Sequence, residues 1–194
     1  PRNGPATVLD AAQRAIAGSA DDHGGDPAAR IELRSRLAQL LQRHGDMAGA
    51  RDLYAQTLDE AMRTLGSDDP LSLALVELSA EAAMLRGEFA AARAAIDGLL
   101  ARLGDDRGNP RIQALSLSAV LAIKLRGPGR ALADGREAVA LARALGDAEI
   151  LRQTLNDFGV VLLGVDALAE AVRVYEEVLE TNRARFGEQH QKTA

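Results

Sequence analysis

Two short strings in this sequence hold residues of the kind that handle nucleotide phosphates, Ala122-Ile123-Lys124 and Asp157-Phe158-Gly159. In phosphoryl transfer a lysine steadies the phosphates and an aspartate holds magnesium. Here only 33 residues separate Lys124 from Asp157, no catalytic loop lies between them, and helix-period sequence surrounds both. Gly127-Pro128-Gly129-Arg130 has the glycines of a phosphate loop, but no Gly-Lys-Ser/Thr follows and no strand-like run precedes it. A tight turn between helices is the better account. His23, His44 and His190 fall in separate turns and form no helical pair that would ligate a metal. Asp21-Asp22, Asp68-Asp69 and Asp105-Asp106 resemble paired carboxylates for acid–base work, yet each pair sits at a helix boundary, where aspartate caps. No Ser/His/Asp set has supporting context. The expectation is a non-enzyme with no catalytic residue, no metal and no cofactor.

Composition agrees with that expectation. The chain has 194 residues, 47% hydrophobic and 26% charged, within the range of globular proteins. Aromatic residues make up only 3% and tryptophan is absent, so alanine and leucine must build the core. Alanine favours helices that approach closely. The formal charge is 23 minus 28, or −5, with acidic residues spread along the chain and no basic arm, so no nucleic-acid partner is expected. No apolar run is long enough for membrane insertion and the given sequence shows no signal peptide; the cytoplasm is the default compartment, with an extracytoplasmic one left open. With no cysteine, disulfides and thiolate metal sites are excluded.

The elements that carry these residues repeat. In four segments an apolar stretch and a short break are followed by an alanine (Ala50, Ala92, Ala131 and Ala171), at spacings of 42, 39 and 40 residues. In the first, second and fourth, a large apolar residue stands four positions later. A fixed period in this range marks a solenoid. The fourth copy is the clearest, with Leu155, Phe158-Gly159, Leu162, Ala171 and Tyr175. The first has Leu37-Ala38, Leu41, Gly45, Ala50, Tyr54 and Leu58; the second has Ser79-Ala80, Ala83, Gly87, Ala92, Ile96 and Leu100. The third is degraded, with Ala119-Val120, Ile123, Gly127, Ala131 and then Gly135 where a bulky residue is expected. Small residues on the first helix of each pair let the second pack closely, and Tyr54, Ile96 and Tyr175 fill the gap between pairs. One hairpin buries too little apolar surface alone, so the stack is the folding unit.

Capping residues before proline in Ser67-Asp68-Asp69-Pro70 and Arg107-Gly108-Asn109-Pro110 mark helix starts. The pattern predicts helices over 5–18, 28–44, 46–65, 70–86, 88–103, 110–126, 129–145, 147–163 and 166–186. The fold class is all-α, a right-handed superhelical solenoid of stacked antiparallel helix pairs. Residues 1–194 read as one helical-repeat domain: a lone helix and turn over 1–28, repeats over 29–69, 70–109, 110–146 and 147–187, and the start of another at 188–194. The unpaired first helix and the Pro1 start point to a piece of a longer protein.

The order large, large-small, large, then small and aromatic resembles the tetratricopeptide repeat. Repeats near 40 residues resemble its longer, kinesin light chain-like subtype, as do the turns Leu65-Gly66-Ser67-Asp68-Asp69-Pro70 and Phe186-Gly187-Glu188-Gln189-His190. Ala6-Thr7-Val8-Leu9-Asp10-Ala11-Ala12 and Pro27-Ala28-Ala29-Arg30-Ile31 resemble the segment that joins some bacterial serine/threonine kinases to C-terminal repeats. Similar repeats occur in bacterial transcriptional activators.

The resemblance implies a protein or peptide partner, bound in a concave groove lined by the first helix of each pair. Carried onto this chain, the groove positions are Glu32, Ser35, Gln39 and Gln42, then Ala74, Glu77, Glu81 and Met84, then Ala114, Leu117, Leu121 and Lys124, and finally Gln153, Asn156, Val160 and Leu163. Ser35 and Gln39 stand where carboxylate-clamping relatives carry lysine and asparagine, which argues against an acidic C-terminal peptide. A peptide with an apolar stretch and one basic residue to pair with Glu77 and Glu81 fits better. The alternatives are a sensor for a small ligand or signal peptide, or a self-association element; nothing in the sequence sets an oligomeric state.

Overall fold

The computed structural model describes residue 14 and residues 26–186, and every structural statement below concerns these residues. They form eight α-helices and no strand: α1 (Pro27–Arg43), α2 (Met47–Thr64), α3 (Pro70–Leu85), α4 (Phe89–Leu103), α5 (Asn109–Lys124), α6 (Pro128–Leu145), α7 (Ala148–Gly164) and α8 (Leu168–Phe186). Each end lies within two residues of its sequence-predicted position. The predicted helix over 5–18, the repeat start at 188–194, and His23 and His190 lie outside the described residues.

The helix starts are chemical. Asp26, Asp46, Asp69 and Asp147 cap α1, α2, α3 and α7, each accepting from a backbone N–H of the first turn at 2.9–3.0 Å. Proline opens α1, α3 and α6, where its missing N–H costs nothing. Asp106 instead accepts from Gly108 N at 2.9 Å, shaping the turn before α5. Within each pair the turn demands a left-handed residue. Glycine serves at Gly45 and Gly87, but the later pairs use Arg126 (φ 55°) and Asp166 (φ 60°).

The chain divides into two compact units, residues 1–95 and 96–194, the division falling inside α4. In the first, α1 packs on α2 and α3, and α2 on α3. Ile31, Leu37, Ala38, Leu41, Ala50, Leu53, Tyr54 and Leu75 share its core. In the second, α5 packs on α6 and α7, α6 on α7, and α7 on α8. Its core is built around Ala119, Ala131, Val139, Leu155, Phe158, Leu162, Ala171 and Val174.

Glycine decides two close approaches there. A Cβ on Gly159 would stand 2.5 Å from Tyr175 Cζ, and one on Gly135 would stand 2.4 Å from Phe158 Cδ2. The bulky residue missing from position 135 is thus replaced by a ring that reaches in from α7.

Candidate functional site

The first-of-pair helices of the first unit are α1 and α3. On α1, Glu32 is exposed and ion-paired with Arg36 at 2.5 Å, while Ser35, Gln39 and Gln42 are half-buried. Gln42 Oε1 is fully buried without a hydrogen-bond partner. On α3, Ala74 and Glu81 are exposed and Glu77 and Met84 half-buried. Glu77 and Glu81 are one turn apart on the same face. Burial, and then the neighbouring Glu81 charge, push the Glu77 carboxyl up to about 7. Burial, and then Glu81, likewise push the Tyr54 phenol up to about 12. This face is therefore polar and electronegative, with one carboxylate poorly solvated.

In the second unit the corresponding helices are α5 and α7. On α7, Gln153, Asn156, Val160 and Leu163 are all exposed, the last two by 51% and 48%. Gln153 Nε2 donates to Glu149 Oε1 at 3.1 Å. On α5 the sequence reading needs correction. Ala114 and Leu121 are fully buried and belong to the core, whereas Leu117 is half-buried and Lys124 exposed.

The reason is a slip of one residue. The buried positions of α7 (Thr154, Leu155, Phe158, Gly159, Val161 and Leu162) fall, shifted by 40, on Ala114, Leu115, Ser118, Ala119, Leu121 and Ala122, all buried in α5. Ala119, not Val120, is the small packing residue equivalent to Gly159. The face of α5 equivalent to Gln153, Asn156, Val160 and Leu163 is then Gln113, Ser116, Val120 and Ile123. Gln113 is exposed and the other three are half-buried. A Cβ on Gly164 would meet Ile123 Cγ2 at 3.0 Å, so the two helices touch at this end. Together they present an amide- and hydroxyl-bearing start and an aliphatic end.

Behind this face, α6 and α8 run parallel. Arg136 pairs with Glu170 at 2.9 Å and Arg143 with Glu177 at 2.6 Å, each step spanning 34 residues. Between the pairs lies a cavity of about 410 Å³, with Val139, Val174 and Phe158 on its wall and Arg173 beside them. Sequence pattern could not find this site, because charged residues two turns apart on each helix read as solvated faces.

The phosphate-type strings have structural roles. Phe158 is core and Gly159 lies under Tyr175. Asp157 is exposed, its carboxyl pushed up by partial desolvation against the opposing effects of Asn156 and Arg152. Arg130, of the Gly-Pro-Gly-Arg string, sits in the first turn of α6 and binds Asp97 at 2.5 Å and Asp134 at 3.1 Å. Ser118 Oγ donates to the same Asp134 carboxylate at 2.6 Å. His44 ends α1. No group of three or more metal-ligating side chains occurs among the described residues, and no described helix is long and apolar enough to cross a membrane. Sequence reasoning also missed Glu60, which receives Arg30 and Arg34 at 2.5 Å each across α1 and α2.

The tetratricopeptide repeat family matches residues 31–71 and 151–192. No curated protein matches the sequence. Among solved structures, BtubC (BKLC) from P. vanneervenii is 19% identical with a TM-score of 0.72, over 93% of this chain and 74% of that one. A Podosopora anserina protein of nearly identical TPR-like repeats, described as a kinesin light chain, is 17% identical with a TM-score of 0.73, over 91% and 86%. A tetratricopeptide repeat protein from Parabacteroides merdae is 14% identical with a TM-score of 0.51, over 95% and 81%. At such identities the likeness is one of fold. The chain thus carries tetratricopeptide repeat matches over residues 31–71 and 151–192, and its fold is that of the longer, kinesin light chain-like repeat solenoids.

Proposed function

We propose that the chain is a non-catalytic protein-interaction module that binds a peptide or protein on the open faces of its first-of-pair helices. The observation that carries this reading is the aliphatic end of the α5–α7 face. Val160 and Leu163 are about half exposed beside Val120 and Ile123, and contiguous apolar surface of this kind is seldom left bare. Asn156 and Gln153 on the same face would hydrogen-bond the backbone of an extended peptide. In the first unit, Glu77 and Glu81 favour a basic residue, because a cation would relieve their mutual repulsion. The segment-level resemblance at the start of the chain makes the recruiting or regulatory arm of a bacterial signalling protein the fitting context.

Selection of displayed peptides against the purified chain tests this. Selected sequences are expected to carry an apolar stretch and a lysine or arginine. Val160→Asp with Leu163→Asp should weaken them at least about tenfold, the scale of an interface anchor, and Glu77→Lys with Glu81→Lys should weaken the basic ones, with helix content unchanged. Equal binding to all three proteins would remove these faces from consideration.

One observation favours a second reading, a sensor for a small ligand. The cavity between α6 and α8 falls within the roughly 300–1,000 Å³ of ligand pockets. A ligand there would alter the separation of the two helices, and solution scattering unchanged by candidate ligands would count against it.

A further inference from the structure

The two ion pairs that bridge α6 and α8 leave a gap between them in charge as well as in space. Both join residues 34 apart, and in each the carboxylate accepts from Nε and Nη2 of one arginine. The same offset sets Val139 and Ala140 of α6 opposite Arg173 and Val174 of α8, and all four line the cavity. This middle rung has a cation and no anion. Arg173 stands three residues after Glu170 and four before Glu177, spacings at which helical ion pairs form. Both carboxylates are instead taken by the arginines of α6, and Arg173 makes no ion pair or hydrogen bond among the described residues. Three guanidinium groups against two carboxylates give the lining a charge of 3 minus 2, or +1, in a chain whose formal charge is −5.

The rest of the lining is apolar. Val139, Val174 and Phe158 are buried, and Ala140 is small and exposed, which keeps the space between the helices open. A ligand that complements this lining carries one anionic group on an apolar body. Glu170 and Glu177 decide the head. They flank Arg173 and would repel a second negative charge, which disfavours a phosphate monoester. A planar carboxylate carries a single charge and meets a guanidinium fork through two parallel hydrogen bonds.

Resting on the small-ligand reading of this cavity, we propose that it binds a small monoanionic carboxylate with an aliphatic body. The head pairs with Arg173, and the chain lies against Val139, Val174 and Phe158.

Octanoate is the probe, with octanol and octylammonium as comparators of equal chain length. Each is titrated into the isotope-labelled 194-residue protein and followed by NMR. Octanoate is expected to shift the signals of α6 and α8 saturably, and octylammonium to leave them unmoved. Arg173→Gln should weaken octanoate binding roughly tenfold, the scale of one charge-assisted contact. Ala140→Phe should abolish it by filling the space, with helix content unchanged in both variants. Glu170→Gln with Glu177→Gln should tighten it several-fold, because repulsion falls and two further guanidinium groups are released; a purely structural role for the pairs predicts the reverse. Octanol or octylammonium bound as tightly as octanoate, octanoate binding indifferent to Arg173→Gln, or weaker binding to the glutamine variant overturns the carboxylate assignment and leaves the small-ligand reading standing. Failure of all three probes to bind, or binding unaffected by Ala140→Phe, overturns the site itself.

Discussion

Alanine at Gly135 should destabilise the protein, although glycine-to-alanine in a helix normally does the reverse. Gly98 and Gly135 both lie inside helices. A Cβ on Gly98 meets nothing within 4 Å. Gly98→Ala should therefore gain about 0.8–1 kcal/mol from helix propensity. At Gly135 the same gain is opposed by a Cβ 2.4 Å from Phe158 Cδ2 and 2.8 Å from Cε2. Phe158 is only 5% exposed and packed on several sides, so the ring has little room to retreat. Overpacking of this kind costs about 1–3 kcal/mol, leaving Gly135→Ala destabilised by about 1 kcal/mol.

The assay is thermal and urea unfolding followed by circular dichroism. For a chain of this size 1 kcal/mol moves Tm by about 2–4 °C, so the two variants should move in opposite directions. Phe158→Leu should remove much of the penalty at position 135, with a coupling of at least about 0.5 kcal/mol in the double-mutant cycle. If Gly135→Ala stabilises as much as Gly98→Ala, the Phe158 ring does not occupy that space.

Three further outcomes are expected. Glu77→Gln should leave the protein more stable than wild type above pH 7. The raised carboxyl makes the folded state hold its proton more tightly than the unfolded chain, so its contribution declines as pH rises from about 4.5 to about 7; the upper limit is about 3 kcal/mol and about 1 after solvent screening, and urea titrations at pH 5 and 8 that show no crossover in the difference would refute it. Glu60→Gln should cost about 1–3 kcal/mol at neutral pH by stripping two guanidinium groups of their anion. Burial alone would raise the Glu60 carboxyl, but hydrogen bonds from Arg30 and Arg34 hold it below the ordinary value of 4.5, so this stability is present above that value and fades as pH falls through the lowered one; a Glu60→Gln variant with an unchanged pH profile would refute it. Arg126→Gly and Asp166→Gly should each stabilise by up to about 1 kcal/mol, since only glycine adopts the left-handed turn freely; denaturation midpoints that fall would show that the side chains contribute more than the strain costs.

Helix positions and most packing residues were legible in the sequence because they rest on local chemistry. Aspartate caps, prolines at helix starts and the small-residue pattern each act within one turn. The third repeat slipped because two local signals pointed one residue too far. Val120 follows Ala119 where either pairing matches the large-small pattern loosely, and Gly127 seemed to be the turn glycine. The left-handed residue is in fact Arg126, one position earlier. The shift that moves Ala119 into the small position also carries Leu121 into the core, and only burial reveals it. The pairs Arg136–Glu170, Arg143–Glu177 and Arg34–Glu60 join residues 26 or 34 positions apart. No local rule selects which glutamate an arginine will meet, so these contacts, and the cavity between the first two of them, follow from the packing of helices against one another.

The contrast between the two sides of the second unit bears on how it would answer a partner. The first-of-pair helices α5 and α7 touch directly, with Ile123 against the bare backbone of Gly164, and dense apolar packing of that kind resists change. The second-of-pair helices α6 and α8 are bridged by ion pairs between half-exposed side chains across a cavity. Such pairs exchange readily with water and contribute little rigidity. A peptide on the α5–α7 face would therefore meet a preorganised surface and lose little affinity to rearrangement. A ligand between α6 and α8 would act on the side that can open. The two readings separate by response: binding without a change in solution dimensions belongs to the α5–α7 face, and binding that alters them belongs to the cavity behind it.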